Sequence, residues 1–180
     1  MFSLQKLLGK EDKFFDLLEA SAQEARGSVQ AFIRFSKTPD QPGSLDTFAL
    51  TRRKDKRITE QISEALCTTF VTALEREDIE ALSNALYKIP KTVEKICERM
   101  LLCPQHFRGT DFSRHVPLLQ EATDIVLAMI KDLRRGLDLK QMKDQNDKLQ
   151  HVEGEADKLI LELYKDLYSG KHEPLRVIVL

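Results

Sequence analysis

Cysteine is scarce in this chain. Cys67, Cys97 and Cys103 are the only three in 180 residues, and no two stand in a CxxC spacing. An odd number of scattered thiols argues against a disulfide framework and fits reduced cysteines in the cytoplasm. The opening residues Met1–Lys6 carry neither a basic leader nor a long apolar stretch, so the sequence predicts no export. Long hydrophobic runs are missing too: none approaches the roughly 20 residues that span a bilayer. The net charge of −1 provides no basic field for a nucleic acid, and none is expected as a partner. A glycine-rich phosphate loop, a nucleophile elbow, a Cys/His frame and a Glu-x-x-His pair of the di-iron kind are all absent, so no enzyme is expected.

What is present is helical rhythm. With 42% hydrophobic and 32% charged residues, the composition suits a helix-rich globular chain rather than a disordered one. Phe14, Phe15, Leu18, Ala22, Ala25, Val29, Phe32 and Ile33 recur at three-four spacing and predict a helix over about 12–36. Turn formers fill Thr38–Gly43, and Ser44 is placed to cap a second helix reaching about Val71. That helix has a gap. Leu45, Phe48 and Leu50 start an apolar face, Ile58, Ile62, Leu66 and Phe70 resume it, and between Thr51 and Arg57 no large apolar residue occurs.

A third helix begins near Glu77 and Asp78, acids that suit a helix N-terminus, and runs to about Met100. Pro90 lies inside it and predicts a kink or a break. Cys97 falls on its apolar stripe and reads as packing. A loop over Cys103–Asp111 precedes a fourth helix, about 112–137, and a fifth, about 139–168. Ser169-Gly170 stops the fifth, and Glu173-Pro174 opens a sixth.

The later helices repeat the earlier ones. At an offset of 101, Ile58 falls on Leu159, Ile62 on Leu163 and Leu66 on Leu167. The expected architecture is therefore all-α: one domain over 1–180, an antiparallel bundle of two three-helix repeats, about 12–102 and about 112–180, with the last helix truncated. Uncovered apolar surface on the second repeat would favour a homo-oligomer, with Val177–Leu180 and the helix over 139–168 near its interface.

One motif stands out. In Glu153-Gly154-Glu155-Ala156-Asp157, Glu153 and Asp157 are four residues apart, on one helix face, where two carboxylates can share a cation. At the same place in the first repeat the chain reads Arg52-Arg53-Lys54-Asp55-Lys56, with the charge reversed. His151, four residues from both Asp147 and Glu155, reads as a surface salt-bridge partner.

Together with this repeat, three stretches carry a resemblance. They are Leu8-Gly9-Lys10-Glu11-Asp12-Lys13-Phe14-Phe15-Asp16-Leu17-Leu18, the run from Thr69-Phe70-Val71-Thr72 to Glu80-Ala81-Leu82, and Glu153–Asp157. Over nearly its whole length the chain resembles the PhoU-like phosphate transport regulators, in the branch encoded beside Pit-type low-affinity phosphate permeases. The resemblance implies a PhoU-like helical bundle and a cytoplasmic accessory protein of phosphate uptake, or one held peripherally at the inner membrane, with a Pit-type permease as partner. It also implies metal sites, since related proteins bind iron or another transition metal through ExxxD motifs on two helices of each bundle. Here only Glu153 and Asp157 match those motifs. Arg52 and Lys56 occupy the carboxylate positions of the second helix, and Tyr87, Lys88 and Lys91 those of the third. No cofactor is expected beyond a weakly held divalent or transition metal, because two carboxylates fall short of the about four to eight ligands such ions take.

Two functional readings follow. The first is a non-enzymatic regulatory or accessory protein that docks through helix faces. Arg52, Arg53, Lys56, Lys88 and Lys91 would form its patch for phosphate, an anionic headgroup or an acidic loop, with Glu60 and Glu94 as internal neutralisers. The alternative is a metal-binding helical protein that uses Glu153 and Asp157.

Overall fold

The computed structural model describes residues 4–37, 44–136 and 138–180; the side chains of 4–12 and of Ser44 lie outside that description. Among the described residues the protein is all-α, without a strand. Its helices are α1 (Leu4–Lys37), α2 (Ser44–Thr68), α3 (Arg76–Leu102), α4 (Pro104–Phe107), α5 (His115–Arg134), α6 (Leu139–Leu167) and α7 (Pro174–Val179). No helix among them is long and apolar enough to cross a membrane.

Helices α1, α2 and α3 pack against one another, α5 lies along α1, and α6 packs chiefly on α5. The three-four rhythm of α1 explains its central place, because its apolar stripe runs through two core clusters in succession. Phe14, Leu18 and Ala22 meet Ile62, Ala65, Leu66, Ile79 and Leu86, together with Leu127 and Ile130 from α5. Further along, Val29, Phe32 and Phe35 meet Phe48, Val93, Cys97 and Met100. Phe35 and Phe48 stack edge to face with ring centroids 5.8 Å apart. Ion pairs seal the α1–α5 seam: Arg26 with Asp124, and Arg134 with Asp16 and Glu19.

Several boundaries move from their sequence expectation. The first helix starts at Leu4 rather than near Asp12, since the stretch from Leu4 to Lys13 has no proline and its single Gly9 is tolerated among good helix formers. The loop expected over Cys103–Asp111 contains the single turn α4, with Pro104 at its first position, and the next helix starts at His115. Pro90 does not break α3, which runs unbroken past it and buries the ring. The six residues of α7 start at Pro174, where a sixth helix was expected, and Asp138 caps α6 by accepting from the Lys140 and Gln141 amides. The fourth expected helix ends at Arg134, short of Leu137, with Arg135 as its C-cap, while the turn over Thr38–Gly43 and the capping role of Ser44 lie outside the described residues.

The largest revision concerns the end of α2. It stops at Thr68, so Phe70 is not the last member of its apolar face but a loop residue. Arg76 holds this end, its guanidinium donating to the carbonyls of Leu66 and Thr69. It thereby satisfies acceptors that the helix end leaves open. Leu18 of α1, fully enclosed in the cluster that α2, α3 and α5 complete, tests the packing. Leu18→Ala should cost about 2–5 kcal/mol, measured as the shift in urea unfolding free energy.

Candidate functional site

The basic run of α2 is where sequence and structure differ most. The gap between Thr51 and Arg57 is not a stretch without core contact. Asp55, fully buried, points into the bundle there. Phe48, Asp55 and Ile62 follow one another at heptad spacing, and all three are enclosed. Asp55 Oδ1 accepts a 2.6 Å hydrogen bond from Ser21 Oγ of α1, while Oδ2 is enclosed without a partner among the described residues. Ser83 Oγ on α3 is likewise buried and unpaired. Burial pushes the Asp55 carboxyl up to about 6; the Ser21 hydroxyl opposes that shift and the nearby Glu24 charge adds to it. Glu24 itself pairs with Lys54 at 3.8 Å.

With Asp55 turned inward, the bases around it turn away. Arg52 reaches α3 and pairs at 2.5 Å with Glu94, whose carboxylate is almost fully buried. Lys56 pairs with Glu60 at 3.6 Å along its own helix. Both expected neutralisers, Glu60 and Glu94, are thus engaged, and Arg52 meets an acid on α3 rather than Lys88 or Lys91. Arg53, Arg57, Lys88 and Lys91 are exposed, with the Lys91 ammonium 5.9 Å from the centre of the Tyr87 ring. What remains on the surface is a basic ridge along the outer sides of α2 and α3.

On α6, Glu153 and Asp157 are exposed, and Glu155 bonds Lys158 at 2.6 Å, which holds its carboxyl below the usual range. Among the described residues no group of three or more His, Cys, Asp or Glu side chains is gathered closely enough to hold a metal ion. Glu153 instead lines a groove of about 540 Å³ between α5 and α6, with His115, Leu119, Leu149, Val152 and Ile160. His151 is exposed. Cys97 is fully buried, and its thiol is pushed up to about 12, chiefly by that burial, so it packs rather than reacts.

Two features escaped the sequence reading. Asp55 looked like the lone acid of a basic run. Its heptad spacing from Phe48 and Ile62 was the available signal, but an acid at a core position is too rare to expect. Phe70 looked like core because its spacing from Leu66 continued the stripe.

No protein-family model matches the chain. Two curated proteins are similar along nearly all of it. A protein of Rhizobium meliloti (strain 1021) named "Putative pit accessory protein" is 25% identical over 179 residues, covering 97% of this chain and 84% of that protein. "UPF0111 protein YkaA" of Bacillus subtilis (strain 168) is 27% identical over 178 residues, covering 94% of this chain and 83% of that protein.

The raised pKa of Asp55 makes a pH prediction. The folded state holds the proton up to about 6, whereas the unfolded chain releases it near 3.8. Between those values the folded state binds more protons, so stability falls as pH rises through the window and stays reduced above it. Asp55→Asn removes the charge that costs this. Its stability relative to the native protein should rise by up to about 3 kcal/mol from acid to neutral pH. Urea unfolding at a series of pH values reads this directly; a difference that does not change with pH would contradict it.

Proposed function

We propose that this protein is a non-enzymatic accessory protein of phosphate transport that works by docking helix faces onto a membrane permease. The observation that carries this reading is the similarity, along nearly the whole chain, to a relative named as a pit accessory protein. The PhoU-like resemblance in the sequence supports the same role. The fold is compatible with it: an all-helical bundle with charged outer faces. The working location is the cytoplasmic face of the membrane, beside a Pit-type permease.

Within this reading the basic ridge of Arg53, Lys88 and Lys91, with Arg52 and Lys56 beside it, binds an anion, either phosphate itself or a phospholipid headgroup. The ridge is fit for this because Arg53, Lys88 and Lys91 are exposed, while Arg52 and Lys56 already have carboxylate partners. Surface charges of this kind act at a distance of about one Debye length and weaken with salt.

Deleting the gene should alter phosphate uptake through the permease, and the native gene should restore it. An Arg53→Glu/Lys88→Glu/Lys91→Glu variant should fold normally, within about 0.5 kcal/mol per exposed site. It should lose salt-sensitive binding to inorganic phosphate or to anionic vesicles, whichever the native protein binds. Unchanged uptake in the deletion strain would remove the transport role. A stoichiometric transition metal in the purified protein would favour the cation-binding reading through Glu153 and Asp157.

A further inference from the structure

The loop between α2 and α3 presents the most exposed large apolar side chain of the described residues. Phe70 is 100% exposed and Val71 is 51% exposed, side by side at the turn of the helical hairpin. A phenylalanine in open solvent forfeits the burial free energy that its ring would otherwise gain. Nothing local requires it there, because Thr69 beside it is buried and the chain could turn on polar residues.

The loop is also held. Arg76 donates to the carbonyls of Leu66 and Thr69, on either side of the α2 terminus, and Thr68 Oγ1 donates to Glu64 O at 3.1 Å and Ala65 O at 3.3 Å. The Glu75 carbonyl accepts from Ile79 N at 3.0 Å and starts α3. Bonds at both ends of the loop reduce the entropy that a partner would have to remove on binding.

The charge around this knob has one sign. Glu64, Glu75, Glu77, Asp78 and Glu80 are all exposed on the loop and the adjoining helix turns. Between Arg57 and Lys88 the only base is Arg76, and its guanidinium is occupied by the two carbonyls. The hairpin is therefore divided, with a basic ridge on its stem and an acidic, apolar tip. An acidic tip is repelled by an anionic lipid surface, and cytoplasmic loops of membrane proteins carry an excess of Lys and Arg.

We propose that Phe70 and Val71 form a docking knob for a basic polypeptide segment that carries an apolar side chain, of the kind found in the cytoplasmic loops of membrane proteins, with Glu75, Glu77 and Asp78 selecting its charge. This deepens the docking reading above and rests on it, but not on phosphate being the transported ion. The burial of an aromatic supplies the affinity, and the acids supply specificity and rate of encounter.

The sequence has no tryptophan, so Phe70→Trp introduces a single reporter at the knob. Titration of that variant uses a Leu/Lys peptide, a Leu/Glu peptide of equal length and apolar content, and neutral phosphatidylcholine vesicles. The expected result is a blue shift with the Leu/Lys peptide at an affinity at least tenfold above the Leu/Glu peptide. Added salt should weaken it, and Glu75→Gln/Glu77→Gln/Asp78→Asn in the same background should abolish the preference while thermal unfolding stays cooperative. Equal response to both peptides, or none, overturns the proposal. A shift with vesicles and no peptide preference replaces it with a lipid surface. Either failure leaves the uptake experiment on the deletion strain untouched, so the two readings are tested apart.

Discussion

The hydrogen bond from Ser21 to Asp55 is what makes the rotation of α2 in the bundle tolerable, and most of the surface follows from that rotation. A carboxyl group can be enclosed between helices only if a donor meets it or a proton neutralises it. Ser21 provides the donor, and burial raises the carboxyl's affinity for a proton. Phe48 and Ile62, one heptad to each side, gain by burial in the same seam and carry Asp55 in with them. Every other residue of the basic run is then directed to the flanks or outward. Arg52 reaches the buried Glu94 on α3, Lys54 reaches Glu24 on α1, and Arg53 and Arg57 are left on the surface.

This arrangement gives the first three helices a polar layer between two apolar ones. One apolar cluster surrounds Leu18 and Ile62, the other Phe32 and Phe48. Polar groups inside a bundle cost stability, but they penalise shifted registers even more, because a slip would strand a carboxylate without its donor. The α5–α6 pair has its own polar contact, where Gln141 and Gln145 of α6 donate to the Asp132 carboxylate of α5. It joins α1 through Leu127 and Ile130 in the core and through ion pairs at the surface, and it carries an open apolar groove between its two helices.

The same hairpin that holds the buried carboxyl separates its charges along its length. Basic side chains cluster along the stem, while acids surround the turn with Phe70 and Val71 at its end. Two surfaces of opposite sign on one hairpin can meet two chemically different partners at once, an anion and a basic chain segment. Separation of this kind needs no catalytic group, which accords with an accessory role.

By itself the sequence determined the helical class, the order of the helices and most of the core. Those properties come from periodicity, and the spacing of Phe14, Leu18, Val93 or Leu159 is visible in the chain alone. It also carried Glu60 and Glu94 as neutralisers of the basic patch; Glu60 answers Lys56 one turn along the same helix, whereas Glu94 meets Arg52 only because α3 packs on α2. Only the tertiary structure decided that Asp55 is inside and Phe70 outside. Each runs against its residue type, and what overrides the type is a partner distant in sequence or across a turn. Ser21, 34 positions away, makes the acid's burial tolerable, and Arg76, drawing back on the carbonyls of Leu66 and Thr69, holds the end of α2 at which the phenylalanine is left outside. The carboxylate motif of α6 shows the same division. Its spacing on one helix face was legible, but whether other ligands gather around it depends on which helices pack there, and among the described residues none brings them.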